Sequence, residues 1–170
     1  VTLWQGIVSI DNRIYCAPHN TRSVIAVDTV TNDTAPIYVE SQVDVGGELA
    51  YTYYYESGAP QVHLLSTEDK YSGIAAVGTV VMLIPSNARK IITLRTAQQA
   101  VMAVNFKSAA AAAGEYFKGN KYMGGVVVGT RVYAPPDRAR HILVYDIASA
   151  TVSFSEECSS IELNCGRKIR

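Results

Sequence analysis

At 170 residues, with 48% hydrophobic and 18% charged residues, the chain is long enough to bury a sizeable core and too apolar for general disorder. Fifteen basic residues balance fifteen acidic ones, so no net field steers it toward nucleic acid or an anionic membrane, and any such contact would be local. The longest apolar stretch, around Val80 to Ile84, is far shorter than the roughly 20 residues that a membrane-spanning helix needs, so no membrane span is expected.

In chain order, a segment of about two dozen residues recurs three times. Its first copy carries Trp4, Gly6, Tyr15, Pro18, Arg22, Val24 and Asp28. The second carries Tyr71, Gly73, Met82, Pro85, Arg89, Ile91 and Arg95, and the third Tyr122, Gly124, Tyr133, Pro136, Arg140, Ile142 and Asp146. Every position moves by 67 from first to second copy, as from Pro18 to Pro85, and by 51 from second to third, as from Pro85 to Pro136. Register is kept through each copy without a gap.

Each copy opens on a hairpin. Gly6 to Ile10, Asp11-Asn12 and Arg13 to Ala17 form the first; Gly73 to Val77, Gly78-Thr79 and Val80 to Ile84 the second; Gly125 to Val128, Gly129-Thr130 and Arg131 to Ala134 the third. Asp-Asn and Gly-Thr accept the positive φ of tight primed turns, and β-branched residues flank them. Proline, which cannot donate to a ladder, ends the second strand, and a polar loop follows. Third strands are predicted over Val24 to Val27, Ile91 to Leu94 and Ile142 to Tyr145, and fourth strands over Ala35 to Glu40, Ala100 to Phe106 and Thr151 to Phe154. Four antiparallel strands with two apolar faces, covered by like units on both sides, make a propeller blade.

The extra length between the first two copies reads as an inserted hairpin, Leu49 to Tyr55 and Gln61 to Ser66. Between the second and third, the alanine run of Ser108 to Gly114 suits two turns of helix ended by Gly114, or a small-residue loop. The organisation expected is a repeat segment over 1–155, with blades near 4–44, 71–107 and 122–155 and the hairpin within 45–70, then a tail over 156–170. A start at Val1 suggests a fragment, a processed product or an excised domain, so a missing leader carries no information.

These copies resemble the repeats of β-propeller proteins, in the group that includes the Kelch, NHL and quinoprotein-like propellers. The likeness rests on Trp4, Gly6, Asp11-Asn12, Arg13, Ile14-Tyr15, Pro18 and Val24 to Asp28, and on Tyr122, Gly124, Gly129-Thr130, Arg131, Val132-Tyr133, Pro136 and Ile142 to Asp146. The second copy departs, with Val80-Val81-Met82 and Arg95 at the basic, aromatic and aspartate positions. The resemblance implies an all-β fold of three four-stranded antiparallel blades and no particular activity. Three blades do not close a ring of the usual four to eight or so, so completion by another chain, a second copy or missing sequence is expected.

Two sets of residues stand out as candidate sites. Arg22, Arg89 and Arg140, at equivalent positions, would form an arc able to grip carboxylates or phosphates, with Asn20, Asn87 and Arg138 on the same loops; the plainer role is a repeated structural one, each arginine pairing with an acid or stacking on an aromatic of the adjacent blade. On the inserted hairpin Tyr51, Tyr53 and Tyr55 share one face, and Tyr54 the other, which suits core packing or a protein or sugar contact.

Catalytic constellations are not recognisable. His19, His63 and His141 occupy unrelated repeat positions; His19 and His141 flank loops that share a face with the arginines, which leaves a composite site open, although a lone loop histidine is more often solvated, and no nucleophile elbow, phosphate loop or calcium loop occurs. Cys16 reads as a buried core residue; Cys158 and Cys165 read as free thiols in a reducing, cytoplasmic setting, or as a pair in an oxidising one. No metal or cofactor is implied. The leading expectation is a non-catalytic module for protein interaction or assembly. The alternative is a carbohydrate-binding or hydrolytic propeller using the arginines on acidic ligands. A quinoprotein-like oxidoreductase fragment would need a cofactor cavity for which no motif exists.

Overall fold

The computed structural model describes residues 2–39, 50–54, 60–64, 69–115 and 120–155; for 50–54 and 60–64 only the backbone pairing is described. The first copy folds as β1 (Trp4–Ile10), β2 (Arg13–Pro18), β3 (Ser23–Asp28) and β4 (Thr34–Tyr38). The inserted hairpin is β5 (Ala50–Tyr54) with β6 (Pro60–Leu64). The second copy gives β7 (Tyr71–Val77), β8 (Val80–Pro85), β9 (Lys90–Arg95) and β10 (Ala100–Asn105), followed by helix α1 (Lys107–Ala112). The third gives β11 (Val126–Val128), β12 (Arg131–Ala134), β13 (Leu143–Asp146) and β14 (Thr151–Phe154). Each copy is a four-stranded antiparallel meander, hereafter blades 1, 2 and 3. No helix among the described residues is long and apolar enough to cross a membrane.

The repeat signature has a local cause at each point. The first residue of each hairpin turn, Asp11, Gly78 or Gly129, has φ of 51°, 56° or 61°, as the turn chemistry requires. The opening aromatic pairs with the proline in all three copies: Trp4 with Pro18, Tyr71 with Pro85, Tyr122 with Pro136. At the end of the third strand Asp28 Oδ1 accepts from the Val30 and Thr31 N–H groups, and Asp146 Oδ1 from those of Ala148 and Ser149. Their other oxygens face Arg13 at 3.7 Å and Arg131 at 3.1 Å. These bonds hold both carboxyls below the usual range, turn N–H groups leading for Asp28 and Arg131 for Asp146. The basic and acidic positions of the repeat are therefore a turn brace. Blade 2, with Val80 and Arg95 there, lacks this pair.

The next turn has positive φ at its equivalent residue in each copy, Asn32, Gln99 and Ala150. Asparagine tolerates this conformation, whereas an alanine at φ 54° is strained. Ala150→Gly should therefore raise stability by about 0.5–1 kcal/mol, read from a urea midpoint. An unchanged or lower midpoint would count against strain there.

Alternation along the strands sorts each blade into two faces. Tyr15, Ala17, Val24 and Ala26 of blade 1 pack with Ile74, Val81, Leu83, Ile92 and Leu94 of blade 2 in one core. The other side of blade 2, with Ala75, Met82, Ile84 and Ile91, packs with Val132, Ala134, Leu143 and Tyr145 of blade 3 in a second core. Blade 2 is thus covered on both sides, which is why β7, β8 and β9 read as near-continuous apolar runs. Phe106 and Ala110, from the start and interior of α1, are buried in the second core, and Gly114 ends the helix region at φ 71°.

Two expectations change. Cys16 is half-buried instead of a core residue, because alternation puts it on the side of blade 1 that faces away from blade 2; burial still pushes its thiol pKa up. Histidines 19 and 141 are both engaged, as described below, while nothing is described of the His63 side chain. Cys158 and Cys165 and the rest of the tail lie outside the described residues.

Candidate functional site

The inner strands of consecutive blades approach so closely that only glycine fits between them. A Cβ on Gly6 would lie 2.8 Å from the Gly73 Cα, and one on Gly73 would lie 3.0 Å from the Gly124 Cα. The glycine of the aromatic-x-Gly opening therefore forms a column running from blade to blade. At Gly124 the column stops: a Cβ there would meet nothing within 4 Å among the described residues.

Polar clasps accompany the column. The Lys70 N–H donates to the His19 carbonyl at 3.0 Å, and the Lys121 N–H to the Ser86 carbonyl at 3.2 Å, at the same repeat position one blade later. Beside them the Asp69 N–H donates to Asn20 Oδ1, and the Asn120 N–H to Asn87 Oδ1, both at 2.7 Å. Side chains add a third link, His19 Nε2 to Asp69 Oδ1 at 2.6 Å in one junction and Ser86 Oγ to Asn120 Oδ1 at 3.4 Å in the other. His19 Nδ1 also lies 3.0 Å from the Tyr71 carbonyl, so both its ring nitrogens face acceptors on blade 2.

This geometry locates the residues singled out from the sequence. Asn20 and Asn87 have their amide oxygens engaged between blades, and Asn20 Nδ2 donates to the Thr2 carbonyl. Arg138, at the equivalent place in blade 3, is exposed. Arg22 and Arg140 are exposed and Arg89 is half-buried, in the loops just before the third strands of blades 1, 3 and 2. Tyr51 and Tyr53 lie on β5, opposite His63 and Gln61; Tyr55 lies outside the described residues.

Sequence reasoning missed a buried polar centre between α1 and blade 3. Glu115, buried just past the helix, accepts through Oε2 from the Arg140 N–H at 2.8 Å and the His141 N–H at 3.0 Å, and lies 3.0 Å from His141 Nδ1. Lys121 is fully buried, and its Nζ meets no hydrogen-bond partner among the described residues. Burial first, then the Arg89 charge, lower its pKa from 10.5 to about 7, with Glu115 acting in the opposite direction. The Tyr122 hydroxyl is also buried and without a hydrogen-bond partner among the described residues, and burial raises its pKa. In the other copies the opening aromatic has one: Trp4 Nε1 donates to the Ser23 carbonyl at 3.1 Å, and the Tyr71 hydroxyl lies 3.4 Å from that of Lys90. Register places Lys121 just before the opening aromatic, level with Leu3 and Lys70, but those positions are exposed and half-buried and give no signal of its burial. Among the described residues no group of three or more His, Cys, Asp or Glu is placed to hold a metal ion.

The largest unsatisfied feature is apolar. Ile7 of blade 1 is 66% exposed, and Val126 and Val128 of blade 3 are 60% and 62% exposed. Ile7 shares its face with Ile14, Cys16, Ile25 and Val27, all half-buried, and Val126 shares its face with half-buried Tyr133 and Val144. These are the two end faces of the stack, opposite in sense: one would receive a preceding blade and the other a following one.

No family model matches the chain, and no curated protein matches it. Among solved structures it is similar to the extracellular domains of a one-component system and of a hybrid two-component system from B. thetaiotaomicron, with TM-scores of 0.51 and 0.53 at 8% identity. These matches cover 88% and 89% of this chain but 16% of each of those chains, so the chain spans a small part of their length. A glutaminyl cyclase from Myxococcus xanthus matches with a TM-score of 0.45 at 10% identity, over 92% of this chain and 53% of that one. At such identities the likeness concerns fold alone. The fold is β-propeller-like, with three blades stacked through glycine-lined inner strands.

Proposed function

We propose that the chain is a non-catalytic β-propeller module for assembly, whose two end faces take further sheet so that a ring of blades closes. The observation that carries this reading is the contrast between blade 2, covered on both sides, and the exposed Ile7, Val126 and Val128 at the two ends. Apolar surface of this kind is stabilised by coverage at about 25 cal/mol per Å². Stacked blades hold the intervening loops rigid, so binding there loses little conformational entropy. Within this reading the exposed Arg22, Arg138 and Arg140, with half-buried Arg89, supply a basic rim suited to acidic segments of a protein partner, while Asn20 and Asn87 hold the loops beneath it in place. Tyr51 and Tyr53 of β5, with Tyr55 one residue beyond its end, are a second proposed contact surface.

Sedimentation velocity over a range of concentrations, together with binding of the dye anilinonaphthalene sulfonate, tests the reading. The chain should either associate or, when dilute, bind the dye. The double variant Val126→Glu, Val128→Glu should lose that behaviour at blade 3 while keeping its melting temperature. A monomer at every concentration that binds no dye would sink the assembly reading.

A further inference from the structure

Independently of the end faces, we infer that the buried centre between α1 and blade 3 is a binding site for a small monovalent anion, of the size of chloride, held by the Lys121 ammonium and the Tyr122 hydroxyl. Both side chains are closed off from solvent, at 0% and 1% exposure. Neither the Nζ nor the hydroxyl meets a hydrogen-bond partner among the described residues, so the two do not satisfy each other. A buried donor left unbonded is costly, and a buried ammonium far more so than a hydroxyl. An ammonium can only donate, so whatever satisfies it must accept.

The third copy departs from the repeat at this point. In blades 1 and 2 the opening aromatic donates to the carbonyl at the head of the third strand, Trp4 Nε1 to that of Ser23 at 3.1 Å and the Tyr71 hydroxyl to that of Lys90 at 3.4 Å. The equivalent residue of blade 3 is His141, 51 positions after Lys90. His141 turns its N–H and Nδ1 to Glu115 Oε2, and β13 begins two residues later, at Leu143. The Tyr122 hydroxyl thus lacks the acceptor that the repeat supplies elsewhere. The residue before the aromatic departs as well: Leu3 is exposed and Lys70 half-buried, whereas Lys121 is sunk completely. Its backbone is pinned between blades 2 and 3, the N–H on the Ser86 carbonyl and the carbonyl on the Asp137 and Ala139 N–H groups.

The charges around the site fix the sign and size of the occupant. Arg89 from blade 2 and Glu115 from beyond α1 act on Lys121 with opposite signs. Glu115 Oε2 is already engaged by the Arg140 and His141 N–H groups and by His141 Nδ1. A protonated Lys121 is therefore the surplus charge, and one monovalent anion cancels it while accepting from both donors. A water molecule would fill the space without cancelling the charge. Because neither donor reaches the surface, a halide fits the closed centre where a phosphate or a larger carboxylate would not. Burial and Arg89 bring the Lys121 pKa to about 7, so the site holds its charge at pH 6 and has lost it at pH 10.

The test takes the 170-residue chain, dialysed into gluconate, and titrates it with chloride at constant ionic strength and pH 6, reading stability from urea midpoints. Gluconate is too large for the closed centre. The parent should gain stability saturably, its folded-to-unfolded ratio rising about tenfold when chloride stands at ten times its dissociation constant. Lys121→Met should be the more stable protein in gluconate and show no such gain. Tyr122→Phe keeps the charge but loses one donor, and should need roughly tenfold more chloride for the same effect. At pH 10 the response of the parent should vanish. The line width of the chlorine NMR signal gives a readout independent of unfolding, broadened by the parent at pH 6 and not by Lys121→Met. Equal chloride responses in the parent and Lys121→Met, a Tyr122→Phe variant that responds like the parent, or a parent that neither gains stability nor broadens the signal would each overturn the site.

Discussion

Gly6→Ala should destabilise the chain by roughly 2–4 kcal/mol, among the largest effects of any single methyl group here. Two costs coincide at this position. Its φ of 82° lies where a Cβ crowds the following carbonyl, at about 1–2 kcal/mol. The added methyl would also lie 2.8 Å from the Gly73 Cα and 3.1 Å from the Ile74 nitrogen, backbone atoms of a buried strand that cannot swing aside. Forcing them apart costs about 1–3 kcal/mol, and the stiffer unfolded chain returns less than about 1 kcal/mol of the total. Gly124→Ala is the control. It shares the left-handed conformation, at φ 67°, but a Cβ there meets nothing within 4 Å among the described residues, so only the conformational cost of about 1–2 kcal/mol is expected. Urea titrations of both variants compare them directly. Equal losses would mean that close approach of the inner strands is not what selects glycine at the head of each copy.

The same comparison shows where the fold was legible and why. Strands, turns and the proline that ends the second strand are written in local chemistry, and they fall within a residue or two of their expected bounds in all three copies. Gly6 and Gly73 were visible as repeated residues, but their reason lies in contacts across 67 and 51 positions, which no local pattern shows. The exposed ends were also predictable, since a stack of three leaves two uncovered faces whatever its residues. Burial of Cys16 was misjudged because an apolar strand in the first blade looks the same whether one or both of its sides is covered. Asn20 and Asn87 were recognisable as a matched pair, but whether an amide points at a ligand or at the next backbone depends on how blades are set side by side. The centre around Lys121 and Glu115 was invisible for another reason. It is assembled by an insertion outside the repeat, so register carried no expectation of burial there.

Lys121→Met should stabilise the protein by roughly 3–5 kcal/mol at pH 6, an unusual gain for one substitution. The lysine is fully buried, its Nζ lacks a hydrogen-bond partner among the described residues, and its pKa falls from 10.5 to about 7. Below pH 7 both folded and unfolded chains carry the proton, so the whole cost of burying the charge is felt. Between about pH 7 and 10.5 the folded chain has lost it while the unfolded chain still holds it. The unfolded state then binds more protons, and stability must rise with pH across that window. Methionine has a similar length and no charge, so the variant lacks this rise, and its advantage should shrink to about 1 kcal/mol near pH 10. Arg89 and Glu115, the charges that act on Lys121, are present in both proteins, so the difference between the two stability profiles reports the lysine together with its coupling to them. Thermal or urea unfolding at pH 6, 8 and 10 gives that difference. Parallel profiles would show that Lys121 keeps its proton in the folded chain, and that the cluster of Lys121, Glu115 and Arg89 holds a compensated charge.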